Sequence, residues 1–252
     1  MKVLITGASS GIGKELAKEL SNQGYDLILV ARNEKKLEEL KKELRTNIEI
    51  IPMDLSIPDN AKKLYEQTKN KIDLLINNAG IGLMGPSEEV DLEKELEMIK
   101  TNVITPQILT KLFLKEFIKK DQGQILNVSS AAAFIPGPLH NTYYSTKVYL
   151  YNYTLAIYQE LKSKKSNVKI SVLCPGPVDT NFNKNANCEF TTKAIDAKEL
   201  AKYTIKKLNK NKTIIIPTLS MKLTYIANKI LPLKLMLKIN YKIQERKIKN
   251  VR

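Results

Sequence analysis

The chain has no tryptophan, two cysteines and a single histidine among its 252 residues. These shortages exclude chemistry before any motif is read. The two thiols, Cys174 and Cys188, have no metal-ligand spacing, and no metal site is expected; reduced thiols in a cytoplasmic protein are the simplest expectation. With His140 the lone imidazole, a Ser-His-Asp triad requires His140 itself as its base. No stretch of about 18 or more uncharged apolar residues occurs, which argues against a membrane-spanning helix. The apolar run in MKVLITGASSG is too short for a secretory signal, so none is expected. Acid is scarce in one place only. Residues 201–252 carry fourteen Lys and Arg against one acid, Glu245, whereas residues 1–200 are nearly balanced.

What is present is enough apolar material, 43% of the chain, for one sizeable core. Short apolar runs alternate with helical patterns: KVLIT, GKELAKELSNQG, DLILVA, NEKKLEELKKELR, then IEIIPMDL. Leu16 and Leu20, and Leu37, Leu40 and Leu44, recur at helical spacing. Gly24 stands where a first helix should stop, and Asp196 with Glu199 reads as a capping box. Further apolar runs follow at DLLINNAG, GQILNVSS, VKISVLCPG and KTIIIP. Runs that are apolar on both faces and separated by helices predict an α/β fold. The expected architecture is a Rossmann-type, doubly wound parallel sheet of seven strands, with helices on both faces and a C-terminal helical extension.

Between the first strand and the first helix lies TGASSGIGKE, with the spacing G-x-x-x-G-x-G. Gly7 permits a tight turn out of the strand. Gly11 lets the backbone approach a pyrophosphate, and Gly13 lets the helix pack on the sheet. The helix N-terminus then offers free N–H groups to phosphates. At the start of a βαβ pattern this predicts dinucleotide binding. Residues 1–217 are therefore expected to form a dinucleotide-binding domain that includes the catalytic site, and residues 218–252 its basic helical extension.

This glycine spacing resembles that of the short-chain dehydrogenase/reductase family. NNAG at 77–80, the serines at 129 and 130, YYSTK at 143–147 and PGPVDT at 175–180 resemble its motifs in order and in register. The resemblance covers about the first 220 residues. It implies a nicotinamide cofactor held by Gly7, Ser9, Ser10, Gly11, Ile12 and Gly13. It implies Asp54 and Leu55 at the adenine, Asn78, Ala79 and Gly80 along the ribose, and Pro175, Gly176, Val178 and Thr180 over the nicotinamide. Val178 would offer backbone to the carboxamide, and Thr180 a hydroxyl.

The second strand ends LILVARN, without the acid that an NAD-type site usually places near Ala31. Arg32 follows instead, and a guanidinium can pair with a 2′-phosphate. Ser9, Ser10 and Lys14 could add donors. NADP(H) is therefore expected over NAD(H).

Tyr143 and Lys147 are four apart and share one helix face. A free phenol has a pKa near 10. A nearby ammonium stabilises the phenolate, so Tyr143 can exchange a proton with a carbonyl oxygen. Tyr144 is a rival but is only three residues from Lys147. The resemblance implies that Ser130 hydrogen-bonds the substrate oxygen and that Asn102 holds a water in a relay to Lys147. Lys147 would also bind the cofactor ribose. Ser129 is expected to support the strand end, His140 to line the pocket mouth, and Cys174 to be buried.

The expected substrate is a hydrophobic ketone or aldehyde, or the corresponding alcohol. Its pocket would come from Phe134, Ile135, Pro138 and Leu139 and from the polar segment NFNKNANCEFTT. The alternative is a non-catalytic cofactor-sensing or membrane-docking relative. Apolar residues in the helices carrying Asn102 and Tyr143 (Leu109, Leu112, Phe113 and Phe117, then Tyr149, Leu150, Tyr153 and Ile157) predict a homodimer or homotetramer. The basic tail has apolar residues at helical spacing and lysines at 234, 238 and 242. It reads as a cover for the pocket or a neighbouring subunit, as a peripheral contact with an anionic membrane, or as docking to an acidic partner such as a carrier protein. No nucleic-acid reader motif accompanies the charge, so no nucleic-acid partner is expected.

Overall fold

A computed structural model describes residues 1–180, 182 and 194–249. Seven strands form one sheet: β1 (Lys2–Thr6), β2 (Asp26–Ala31), β3 (Ile48–Pro52), β4 (Leu74–Asn77), β5 (Gln124–Val128), β6 (Lys169–Leu173) and β7 (Ile214–Ile215). Their order is β3-β2-β1-β4-β5-β6-β7, and every neighbouring pair is parallel. The chain winds outward from β1 to β3, then returns to β4 on the other side of β1. The switch point is thus the carboxyl end of β1 and β4, where open α/β sheets bind ligands.

The α-helices among the described residues include α1 (Gly11–Asn22), α2 (Glu34–Glu43), α3 (Pro58–Thr68), α4 (Leu92–Ile99), α5 (Thr105–Lys120), α6 (Asn141–Ser163), α7 (Ala197–Leu208), α8 (Leu219–Ile230) and α9 (Leu233–Lys249). Alternation along the strands builds two cores. Val3, Ile5, Leu27 and Leu29 face Leu16, Leu20, Leu37, Leu40 and Leu200 of α1, α2 and α7. Leu4, Ile28 and Val30 face Leu64, Leu109, Phe113, Phe117 and Ile157 of α3, α5 and α6. Period two along each strand sends successive side chains to opposite faces, which is why the strands read as continuous apolar runs.

Local signals act as expected at several helix ends. Gly24, with φ +86°, follows the Gln23 cap of α1. The Asp196 side chain accepts from the Glu199 N–H at 2.9 Å at the start of α7. One feature of the chain was not foreseen: α4 runs through a π-helical turn, Lys100–Ile104, into α5. In an α-helix the Asn102 carbonyl would accept from the residue four on. That residue is Pro106, which has no N–H to give.

The apolar surplus expected to mark an oligomer face is mostly core. Leu109, Phe113, Phe117, Leu150 and Ile157 are buried within the single chain, because α5 and α6 lie flat on the sheet. Leu112, Tyr149 and Tyr153 remain half-buried. The tail folds into α8 and α9, and the inner face of α9 is polar. Its buried residues include Asn240, Gln244 and Lys247 beside Met236. Among the described residues, no helix is long and apolar enough to cross a membrane.

Candidate active site

The glycine turn is locked by close approach. Gly7 has φ +65°, and a Cβ there would lie 2.8 Å from the Ala79 Cα. A Cβ on Gly13 would lie 2.3 Å from the Gly7 carbonyl oxygen. Thr6, which the motif reading overlooked, clasps the two loops. Its hydroxyl accepts from the N–H groups of Asn78 and Ala79 at 3.0 Å each. The Asn78 amide donates to the Thr6 and Gly7 carbonyls at 2.9 and 3.1 Å. Asn78 thus braces the turn, and its side-chain nitrogen is already engaged.

At the N-terminus of α1, Ser10 makes no side-chain cap, and no acid stands in the first turn. The first N–H groups are therefore left without helical or side-chain cap partners, as an anion site requires. Ser9, Ser10, Gly11 and Ile12 lie at this end, part-exposed or exposed. The segment after β6 arrives from the other side. A Cβ on Gly11 would meet the Thr180 side chain at 3.2 Å, so Thr180 abuts the glycine loop. Val178 forms a parallel bridge with Ile195 through the Pro177 carbonyl and the Asp179 N–H, each at 3.0 Å. That geometry turns the N–H and C=O of Val178 itself to the opposite side, where a carboxamide can meet them. Pro175 accepts from the Ala131 N–H, and Gly176 lies under Met221 of α8. These residues fit a dinucleotide: a glycine cradle that no Cβ can enter, an uncapped helix end and an outward-turned backbone.

The adenosine side is less simple than expected. Arg32 stands just past β2, but its guanidinium is 3.2 Å from Glu97 of α4. Lys14, also considered as a phosphate donor, is 3.3 Å from Glu43. Asp54 holds its own turn, accepting from the Ser56 N–H at 2.9 Å. The Leu55 side chain is buried in the core, and its carbonyl accepts from Thr105.

Tyr143 and Lys147 sit one turn apart on α6, with the Lys147 Nζ 5.6 Å from the Tyr143 ring centroid. Lys147 is only 5% exposed. Its Nζ donates to the Val128 carbonyl at 3.1 Å, and burial pushes its pKa down to about 8. Gly80 separates Lys147 from Asn102: a Cβ there would be 3.2 Å from the Asn102 Oδ1 and 3.4 Å from the Lys147 Nζ. Both ends of the Asn102 side chain are engaged. It accepts from the Ile81 N–H at 2.9 Å and donates to the Ile81 carbonyl and the Thr146 hydroxyl at 2.8 and 3.1 Å. Pro106 also removes the ordinary helix donor to the Asn102 backbone carbonyl. Ser130 accepts from the Ala132 N–H at 3.1 Å at the end of β5. Ser129 donates to the Lys147 carbonyl at 2.7 Å, supporting α6 as well as the strand.

The His140 ring stacks on Tyr143 at 4.5 Å. It is buried, its Nε2 has no hydrogen-bond partner, and burial, aided by the nearby Lys247, holds its pKa down to about 3. It is a neutral plate under Tyr143, not a base. Phe182 packs on Tyr143 from another side, with centroids 5.6 Å apart. Tyr144 is turned away from the site, its hydroxyl accepting from the Gln244 amide at 2.7 Å. Of the expected pocket residues, Phe134 packs on Tyr151 and Tyr225, and Leu139 holds a left-handed backbone at φ +63°. Cys174 is buried at the end of β6, as expected. Of the polar segment at 181–192, only Phe182 is described; Cys188 and the others lie outside the described residues. Among the described residues no cluster of His, Cys, Asp and Glu could hold a metal.

Residues 1–189 match the family model for short chain dehydrogenases. Human 17-beta-hydroxysteroid dehydrogenase type 3 is 34% identical over 204 residues, which are 77% of this chain and 64% of that protein. A short-chain dehydrogenase from Sphingobium yanoikuyae, solved with NADPH, superposes with a TM-score of 0.83 at 26% identity, covering 93% of this chain and 94% of that one. A Burkholderia phymatum short chain dehydrogenase/reductase solved with NAD shares the fold, with a TM-score of 0.84 at 20% identity over 94% of this chain and 95% of that one.

Proposed function

The chain belongs to the short-chain dehydrogenase/reductase family, and from that premise we propose that it is an NADP(H)-dependent oxidoreductase interconverting a lipophilic ketone or aldehyde with its alcohol. Residues 1–217 would be the cofactor-binding and catalytic unit, and residues 218–252 its extension. The observation that carries the proposal is the buried Lys147 ammonium beside the Tyr143 ring, with its pKa lowered to about 8. A cation confined there at neutral pH gains most when an anion forms next to it, which is the phenolate state that proton transfer requires.

A bound nicotinamide dinucleotide supplies or accepts the hydride; the chain orients it and handles the proton. In the reducing direction the Tyr143 hydroxyl donates to the carbonyl oxygen, and Ser130 gives that oxygen a second hydrogen bond. Lys147 holds the phenolate charge and the ribose hydroxyls. The Asn102 side chain fixes the loop at Ile81 and the helix at Thr146, while its backbone carbonyl anchors the water that returns the proton to Lys147. Preorganised donors of this kind act without reorganising during the reaction.

The absence of an acid at Ala31 and the presence of Arg32 support NADP(H). The Glu97 pair does not oppose it, because an exposed ion pair is worth about 0–1 kcal/mol and yields readily to a phosphate. The stacked Tyr149 and Tyr153 rings on the outer side of α6 support assembly through that helix as a homodimer or homotetramer; the mass in solution tests this. The function is tested by following the absorbance of NADPH, and of NADH in parallel, with a panel of lipophilic ketones and aldehydes. Consumption that needs both carbonyl and Tyr143, and is faster with NADPH, is expected. No consumption across the panel in either direction would overturn it.

A further inference from the structure

The described residues include fourteen exposed large hydrophobic side chains, and ten of them lie between Leu219 and Ile243. They are not scattered. On α8, Leu219, Leu223, Ile226 and Ile230 recur at one helical stripe and are 52–75% exposed. On α9, Leu235, Ile239 and Ile243 form a second exposed stripe at spacings of four. Burial elsewhere explains why these residues face outward. α9 turns its polar side to the protein: Asn240 donates to the Pro136 carbonyl at 2.7 Å, and Gln244 to the Tyr144 hydroxyl. Its apolar flank and Lys234, Lys238 and Lys242 are left outside. Solvent does not favour such an arrangement, and contiguous exposed apolar surface marks an interaction site.

The charge around the stripes selects the occupant. Lys222, Lys229, Lys234, Lys238, Lys242 and Arg246 are all exposed on these two helices, and Glu245 is their only acid. A two-fold interface must be self-complementary, so pairing this face with its own copy would set one cluster of cations against another. Leu and Ile at the apolar stripe and cations beside it suit acyl chains and anionic headgroups together.

We propose that α8 and α9 dock the protein on an anionic lipid surface, with the aliphatic stripes entering the headgroup–acyl boundary and the flanking cations meeting the headgroups. The docking is peripheral, since neither helix can cross the membrane. It is independent of the proposed activity. On its other side α9 holds the loop leading to Tyr143, so the site would lie close to the source of a lipophilic substrate; that corollary alone rests on the proposed function.

The test is sedimentation of the full chain with phosphatidylcholine vesicles, with and without phosphatidylglycerol, at low and high salt, with no cofactor present. Binding to the anionic vesicles only, weakened by salt, is expected. A cation near such a surface contributes about 1 kcal/mol, about fivefold in partitioning. Lys234→Glu/Lys238→Glu/Lys242→Glu should therefore lower partitioning by well over tenfold, and Leu223→Ser/Ile226→Ser/Ile230→Ser by a comparable factor. All six positions are exposed, and an unchanged circular dichroism spectrum and melting point confirm the fold of each variant. Equal binding to both vesicle types, or to neither, overturns the proposal. So does a dimer that the Leu223/Ile226/Ile230 variant converts to monomer, which would make the face an interface between copies. Binding to polyglutamate that matches vesicle binding and ignores the serine substitutions overturns it too, because charge alone would then suffice.

Discussion

Lys147→Met should stabilise the protein while abolishing its activity. The Lys147 ammonium is buried, and burial lowers its pKa from the usual 10.5 to about 8. A lysine lowered in the folded state opposes folding wherever the unfolded chain holds the proton and the folded one does not hold it comfortably. The stability cost is complete below the folded pKa and is relieved as pH rises from about 8 towards 10.5. At 1.36 kcal/mol per pKa unit the cost near pH 7 is about 3 kcal/mol. Methionine fills similar space without charge, and such volume-conserving changes are tolerated well. It also removes the hydrogen bond to the Val128 carbonyl, which costs about 1 kcal/mol. The net expectation is about 2 kcal/mol of added stability at pH 7, or about 4–8 °C in melting temperature for a chain of this size. The gain should shrink as pH approaches 10.5 and be lost above it, where the wild-type lysine is neutral in both states. Thermal melts of the cofactor-free protein across pH 7 to 10 measure this, with carbonyl turnover recorded beside them. A variant less stable than wild type at pH 7, by an amount independent of pH, would refute the reasoning. In the wild type, carbonyl reduction should decline as pH rises through about 8 and Lys147 loses its charge.

The sheet was legible because buried parallel strands must be apolar on both faces, so KVLIT, DLILVA and DLLIN announce themselves whatever the rest of the chain does. The pairing of Tyr143 with Lys147 was legible because both lie on one helix, where spacing in sequence fixes spacing in space. What sequence could not show is which partners the same residues already have. Arg32 reads as a free guanidinium, yet Glu97, 65 residues away, reaches it. Asn78 reads as a cofactor ligand, yet its amide is committed to Thr6 and Gly7. The π-turn at Asn102 had a visible cause in Pro106, but proline alone does not distinguish a turn from a helix start. Helical periodicity in the tail predicts an amphipathic helix but leaves its orientation open. The structure decides it: the loop at Pro136 and Tyr144 offers polar partners that draw in Asn240 and Gln244. On α5 and α6, Leu109, Phe113, Phe117, Leu150 and Ile157 are core, because long helices lying flat on a sheet bury a wider stripe than periodicity alone reveals. Of the apolar residues expected at an interface there, only Leu112, Tyr149 and Tyr153 stay near the surface.

Tyr143→Phe keeps the ring on His140 but removes the exchangeable proton, so NADPH binding should persist while turnover falls by about 10²-fold or more; near-normal turnover would remove Tyr143 from the chemistry. Gly13→Ala places a methyl 2.3 Å from a backbone oxygen that cannot yield, so calorimetry should find dinucleotide binding lost even where the fold survives. Retained binding would mean the turn is softer than its geometry. The Arg32–Glu97 pair makes the most discriminating case. If Arg32 recognises a 2′-phosphate, Arg32→Ala should weaken NADPH by about 2 kcal/mol, the scale of a charge-assisted hydrogen bond, and leave NADH almost unchanged. Glu97 competes for the same guanidinium at 3.2 Å. Glu97→Gln should therefore strengthen NADPH binding, by at most about fivefold because exposed ion pairs contribute about 1 kcal/mol or less. It should do nothing for NADH, which has no phosphate to gain from the released arginine. Combined with Arg32→Ala, the Glu97 substitution should have lost most of its effect, since the group it released is gone. If Glu97→Gln instead shifts both cofactors by the same factor, Glu97 acts on the fold or on the ribose, and Arg32 is not the residue that chooses between them.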